Sequence, residues 1–241
     1  MTTTAILLAG GSAARLGVGD NKVYLALRGV PMVGWSLAAF ERCELVDDIV
    51  LVVRPEDRER AAAIAARLGV SKLRAVVEGG DTRHDSERAG LEAIAPAIAD
   101  GTVTLVAIHD AARPFVRQDL LARILRAAAA TGGALPALPL ESEFLLRVDA
   151  AGRSAPVEAG DLRGVQTPQA FRAPELLAAY RRAEAAGFHG VDTAESVERF
   201  SDLAVTTVAG DAENTKVTFI EDLILAEQRA RGWDEPPAAV A

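Results

Sequence analysis

The chain has 241 residues, half of them hydrophobic, with a formal net charge of −8, one cysteine and three histidines. That length allows one α/β domain or two small ones with a sizeable core. The acidic balance argues against a general nucleic-acid or membrane surface, so an anionic ligand needs a local cluster of cations.

Cys43 alone excludes an intrachain disulfide or a cysteine-rich metal site, and His84, His109 and His189 lack metal-ligand spacing. No leader-like or membrane-length apolar run is seen, so the expectation is a cytoplasmic protein without membrane or nucleic-acid partners. Of 26 basic residues only Lys22, Lys72 and Lys216 are lysines. Lys22 and Lys216 fall in motif-like segments, where a compact ammonium suits the site better than a guanidinium fork.

In chain order, buried strands are expected at 4–8, 48–53, 73–77, 103–108 and 133–138. Helices are expected at 31–40, 56–68, 86–95, 117–129, 174–186 and 220–231 from their period of about 3.6. The alternation predicts an α/β fold, a mostly parallel sheet with helices on both faces. Ligands of such sheets bind beyond the carboxyl ends of the strands. The segment 140–165 breaks the pattern and reads as an extended arm or hairpin leaving the sheet. Residues 1–233 read as one domain and 234–241 as a frayed tail.

The first strand runs Ile6, Leu7, Leu8, Ala9 into Gly10, Gly11, Ser12, Ala13, Ala14, Arg15, with Lys22 following. Small residues let backbone N–H groups approach phosphate oxygens, and the two cations would sit beside the same phosphates. The segment reads as a nucleoside triphosphate site; a plain strand-to-helix turn is the competing reading. It is neither a P-loop nor a dinucleotide fingerprint, which disfavours a dinucleotide-dependent oxidoreductase.

A second glycine-rich junction, Gly79, Gly80, Asp81, Thr82, Arg83, His84, Asp85, Ser86, can present the Gly80 backbone to a base edge, with Asp81 or Ser86 adding polar contacts. Alternatively it is a helix start capped by Asp81, Asp85 or Ser86. Asp110, in His109, Asp110, Ala111, Ala112, Arg113, Pro114, closes an apolar strand and is placed to hold Mg²⁺. Ala111 and Ala112 leave room for a ribose, and a capped helix entry is the rival. His109 reads as a hydrogen-bonded structural histidine. Lys216, after Asn214 and Thr215, can return to the site; 192–195 reads as metal or substrate contacts or as the acidic first turn of a helix.

Taken together, these segments resemble the polyol-phosphate cytidylyltransferases, and among them the 2-C-methyl-D-erythritol 4-phosphate cytidylyltransferase family. The motif order matches: Leu8 to Gly11 with Arg15, Asn21 to Leu25, Gly79 to Ser86, His109 to Pro114, Val165 to Gln169, and Lys216 to Thr218. The resemblance implies a Rossmann-like nucleotidyltransferase fold and a homodimer whose projecting β-arm, here 140–165, enters the partner's site. It implies that Arg15, Lys22 and Lys216 surround the triphosphate as catalytic cations. Ala9, Gly10, Gly11, Gly80, Asp81 and Ser86 would bind the nucleotide, Asp110 and Ala111 would hold ribose and metal, and Arg113 and Thr167 would shape the acceptor region. The implied reaction is attack of the acceptor's phosphate oxygen on the α-phosphorus of CTP, with Mg²⁺ as cofactor. A phosphate monoester, with a second pKa near about 6, needs no general base. Catalysis then reduces to positioning two anions and stabilising developing charge.

The family pattern departs in the arm. Glu143, or Phe144 after a one-residue shift, stands where relatives have a threonine, and Ala159 where they have an arginine that grips the acceptor's phosphate. Three expectations stay open: Arg147, Arg153 or Arg163 fills that space, the acceptor is another alcohol phosphate such as ribitol 5-phosphate, or the chain is a nucleotide-binding homologue with weak turnover.

Overall fold

The computed structural model describes residues 2–11, 21–140, 145–148, 151–157, 162–234 and 236–237. In chain order the elements are β1 (Thr2–Leu8), β2 (Ala26–Leu27), β3 (Val30–Pro31), α1 (Met32–Arg42), β4 (Asp48–Val53), α2 (Arg58–Arg67), β5 (Leu73–Glu78) and α3 (Arg83–Ala93). Then come α4 (Ala95–Ala99), β6 (Val103–Asp110), α5 (Gln118–Thr131), β7 (Gly132–Pro139), β8 (Leu145–Val148), β9 (Ser154–Val157) and β10 (Arg163–Val165). The chain closes with β11 (Gln169–Arg172), α6 (Ala173–Ala185), α7 (Thr193–Phe200), β12 (Ala204–Ala209) and α8 (Ile220–Arg231).

Among the described residues the main sheet has eight strands in the order β10-β7-β11-β6-β1-β4-β5, with β12 also paired to β7. The pairs β6–β1, β1–β4, β4–β5 and β7–β12 are parallel, whereas β11 and β10 run against their neighbours. The apolar runs of β1, β4 and β6 are explained by burial on both faces. Ala5, Leu7, Ile49, Leu51, Leu105 and Ala107 pack into one core, which includes residues of α1, α2, α5 and α8. Ile6, Leu8, Val50, Val52, Val106 and Ile108 pack into the other, with residues of α3, α4, α6 and α7. Gly90 sets the closeness of α3 to the sheet: a Cβ there would lie 2.7 Å from Ile6 Cγ2.

The expected strands and long helices are all present, β4 and α8 with the expected ends and the others with ends shifted by up to three residues. The helix expected at 86–95 starts at Arg83, because Thr82 is its cap. The helix expected from 56 starts at Arg58, after a 3-10 turn at Pro55–Asp57. The structure adds β2, β3, α4, α7, β11 and β12; all but β12 are too short for a period to show, and the helical reading of 192–195 corresponds to the start of α7. β8 and β9 form a separate antiparallel hairpin, and β10 brings the chain back to the main sheet. Glu143, Phe144 and Ala159, and with them the departures in the arm, lie outside the described residues, as does most of the expected tail. Among the described residues no helix is long and apolar enough to cross a membrane.

Candidate functional site

The chain runs from β1 to β4 and β5 on one side, then crosses to β6 on the other side of β1. Loops therefore diverge at the carboxyl ends of β1 and β6, where Leu8 is the register partner of Asp110. A reversal of strand order of this kind creates a crevice. A cleft of about 370 Å³ opens there. Gly10 and Gly11 line it from the β1 loop, Lys22 and Val23 from the following 3-10 turn, and Gly80 to Arg83 with Ser86 from the entry to α3. Leu8, Asp110, Ala112 and Lys216 complete the lining. Motifs scattered over more than two hundred residues of sequence thus meet at one place. Arg15 lies outside the described residues.

Each contribution has a local cause. Asn21 anchors the Lys22 turn: its amide donates to Ala9 O at 2.6 Å and Asp57 Oδ2 at 3.1 Å, and its carbonyl oxygen accepts from Val23 N. Arg54 Nε in turn donates to Asp57 Oδ2 at 2.7 Å. Lys22 is thereby held buried at the cleft wall, with 6% exposure. At the entry to α3, Thr82 and Asp85 form a reciprocal capping box: Asp85 is one of the three caps expected from the sequence, whereas the N-cap residue itself is Thr82. Asp81 is left exposed at the cleft, and Ser86 donates to Gly80 O at 3.4 Å. A Cβ on Gly80 would fall 2.4 Å from Asp85 Cβ, so this close turn admits only glycine.

Asp110 is the electrostatic centre. Lys216 Nζ donates to its Oδ2 at 2.6 Å and Arg83 Nε to its Oδ1 at 3.1 Å. Burial alone would raise its carboxyl, but the Arg83 guanidinium and the Lys216 ammonium outweigh burial and hold it well below the usual carboxylate range. Asp110 is therefore ionised throughout the physiological range. Arg83 reaches further back to Glu87, with Nη1 2.6 Å from Oε1. Burial pushes the Glu87 carboxyl above the usual range, against the pull of Arg83, Thr193 and Tyr180.

Ala9, Ala111, Arg113 and Thr167 support the cleft without lining it. Ala9 N donates to Val52 O at 2.7 Å and Ala111 N to Leu8 O at 2.9 Å, which ties the strand ends together. Arg113 Nη1 donates to Asn214 O at 2.8 Å, Asn214 Nδ2 to Thr167 O at 2.8 Å, and Val217 N to Ala112 O at 2.9 Å. These bonds clamp the segment that delivers Lys216. Thr167 Oγ1 accepts from Asp110 N at 3.0 Å and lies 3.1 Å from His109 Nδ1. His109 Nε2 lies 3.0 Å from Arg113 O. The bonds assign a neutral imidazole that donates from Nε2 and accepts at Nδ1. His109 is the structural histidine expected, and burial drives its pKa down to about 4.

Asp192 caps α7 and receives Gln169 Nε2 at 2.8 Å; neither it nor Thr193 lines the cleft. Sequence reasoning gave Arg83 no role. The signal was its place inside the glycine-rich motif, but its partner is 27 residues away.

Comparison with known proteins places the chain. The family model described as "IspD: 2-C-methyl-D-erythritol 4-phosphate cytidylyltransferase" matches residues 3–231. The 2-C-methyl-D-erythritol 4-phosphate cytidylyltransferase of Geobacillus kaustophilus is 38% identical over 227 residues, covering 94% of this chain and 96% of that protein. A 4-diphosphocytidyl-2C-methyl-D-erythritol synthase from Anaerococcus prevotii superposes with a TM-score of 0.83 at 27% identity, covering 95% of this chain and 96% of that one. The Thermus thermophilus 2-C-methyl-D-erythritol 4-phosphate cytidylyltransferase gives 0.74 at 30% identity, covering 96% and 100%. With its strand-end cleft, its Asp110–Lys216 pair and a match along nearly its whole length, the chain belongs to the 2-C-methyl-D-erythritol 4-phosphate cytidylyltransferase family.

Proposed function

We propose that this chain transfers the cytidylyl group of CTP to 2-C-methyl-D-erythritol 4-phosphate and releases pyrophosphate, a step of non-mevalonate isoprenoid synthesis. The observation that carries the reading is the meeting of Lys22, Arg83, Asp110 and Lys216 in one cleft at the strand ends. The Gly10, Gly11, Gly80, Asp81 and Ser86 rim holds the base and phosphate backbone. Lys22, Lys216 and Arg15 stabilise the triphosphate and the charge that builds at the α-phosphorus. The acceptor's phosphate oxygen forms the new bond to that phosphorus as the bond to pyrophosphate breaks. Both phosphates arrive ionised, so no side chain must remove a proton.

The residues fit a magnesium ion. Asp110 is a buried, ionised carboxylate that lines the cleft. Mg²⁺ favours such a partnership, one carboxylate completed by phosphate oxygens and water. When bound it would neutralise phosphate charge. Lys216 would leave Asp110 for the nucleotide's phosphates as it enters.

We also read residues 1–233 as one domain with 140–165 as an arm, and the working form as a homodimer. Exposed Leu140, Val148, Leu162 and Val165 along the arm and its base support that reading. Pyrophosphate release from CTP and Mg²⁺ tests the function. Release is expected with methylerythritol phosphate and not with ribitol 5-phosphate or without acceptor. Release with ribitol 5-phosphate alone would replace the acceptor, and release with neither would refute transfer to both.

A further inference from the structure

Glu87 lies on the second turn of α3, one helical step beyond Arg83, and is completely buried. It does not line the cleft. Three groups from three elements converge on it. The Tyr180 hydroxyl of α6 donates to Oε2 at 2.6 Å, the Thr193 hydroxyl of α7 donates to Oε1, and Arg83 Nη1 sits 2.6 Å from Oε1. Tyr180 and Thr193 are themselves fully buried.

An acid and a base one helical turn apart are common on solvated faces, where they add a little to helix stability. This pair is different, because the carboxylate has no contact with water. A desolvated ion pair is a poor stabilising device compared with apolar side chains of the same volume. What it does provide is direction. The guanidinium is a rigid planar fork, so holding Nη1 on Glu87 also sets where Nε points, and Nε points to Asp110 Oδ1. Asp110 otherwise depends on Lys216, a flexible side chain that the nucleotide's phosphates would draw away.

Building on the transfer reaction proposed above, we propose that Glu87 is a positioning residue: it anchors the Arg83 fork so that the Asp110 carboxylate keeps its orientation after Lys216 turns to the nucleotide. Tyr180 and Thr193 hold Glu87 in place.

The test compares Glu87→Gln, Arg83→Gln and the double variant with the parent chain. It reads kcat and KM for CTP and for the acceptor in pyrophosphate release, and the midpoint of the Mg²⁺ titration. Glu87→Gln is expected to lower kcat by about 10- to 100-fold, the usual scale for a partner one shell behind a metal-ligating carboxylate, and to raise the Mg²⁺ midpoint, with the acceptor KM little changed. The double variant is expected to be no worse than Arg83→Gln, because both changes act through one guanidinium. Tyr180→Phe keeps the carboxylate, carries the same expectation at smaller size, and serves if Glu87→Gln does not fold. An unchanged kcat and Mg²⁺ midpoint with only a lowered Tm, or losses that multiply in the double variant, would overturn the proposal. A crystal structure of Glu87→Gln, or of Tyr180→Phe in its place, needs no activity: loss of the Arg83–Asp110 contact is expected, and its persistence counts against the role. If the parent chain releases no pyrophosphate, the transfer reading fails on its own and the positioning role is judged by that structure.

Discussion

Lys22 is an ammonium kept at a cleft wall by the Asn21 turn. It lines the cleft where the proposed function places the phosphates. Lys22→Ala and Arg15→Ala are each expected to lower turnover by at least about 100-fold, as for other losses of a transition-state contact, while circular dichroism stays unchanged. Near-normal activity in both would remove their assigned roles. His109 makes a separate prediction. Its folded pKa of about 4 lies below the ordinary 6.5, so folding disfavours its proton. The stability it contributes is full above pH 6.5 and is lost as pH falls to and through 4. The loss should reach roughly 3 kcal/mol by pH 4. Urea unfolding at pH 7 and pH 4 should show a correspondingly smaller loss for His109→Gln, and an equal loss would contradict the assignment. Asp110 was legible as a candidate because it closes an apolar strand-like run, and Lys216 because it is one of three lysines and falls in a motif-like segment. Their mutual contact was not, since 106 residues separate them and only the sheet order joins them.

Among the elements, α3 matters most for the site because its entry carries Gly80, Asp81, Arg83 and Ser86. Its start depends on the Thr82–Asp85 capping box. Thr82→Ala should cost about 1 kcal/mol of stability and weaken CTP binding, read together by thermal unfolding with and without nucleotide. A stability loss with unchanged CTP affinity would separate the cap from the site. The long buried strands could be read from sequence because two covered faces leave continuous apolar runs, as in β4, Asp48–Val53. β11 could not: it is four residues, follows Pro168 directly and has no period to display. β12 is a run of four β-branched residues between Ala204 and Ala209, and because none of its positions is buried it lacks the apolar run that marks the inner strands. The start of α3 was misplaced by three residues because several neighbouring side chains can cap and only the folded turn selects Thr82.

At the scale of the whole molecule, the proposed function gives the arm a share in holding the acceptor. The hairpin of β8 and β9 pairs with no strand of the main sheet among the described residues. Replacing 145–157 by a short glycine-serine linker should give a monomer in sedimentation and raise the acceptor KM by about tenfold or more, through lost charge-assisted contacts, with CTP binding nearly unchanged. A linker variant that stays dimeric with an unaltered acceptor KM would contradict that role. The order of motifs along the sequence pointed to the family, but the resemblance implies an acceptor grip at arm positions such as 159, where Ala159 departs from the pattern. The most direct measurement of the central claim is a crystal structure with CTP and Mg²⁺ bound. It should show Lys22, Arg15 and Lys216 on the phosphates and Asp110 on the metal with Arg83 still in contact. A nucleotide bound elsewhere, with Lys216 still seated on Asp110, would contradict the account.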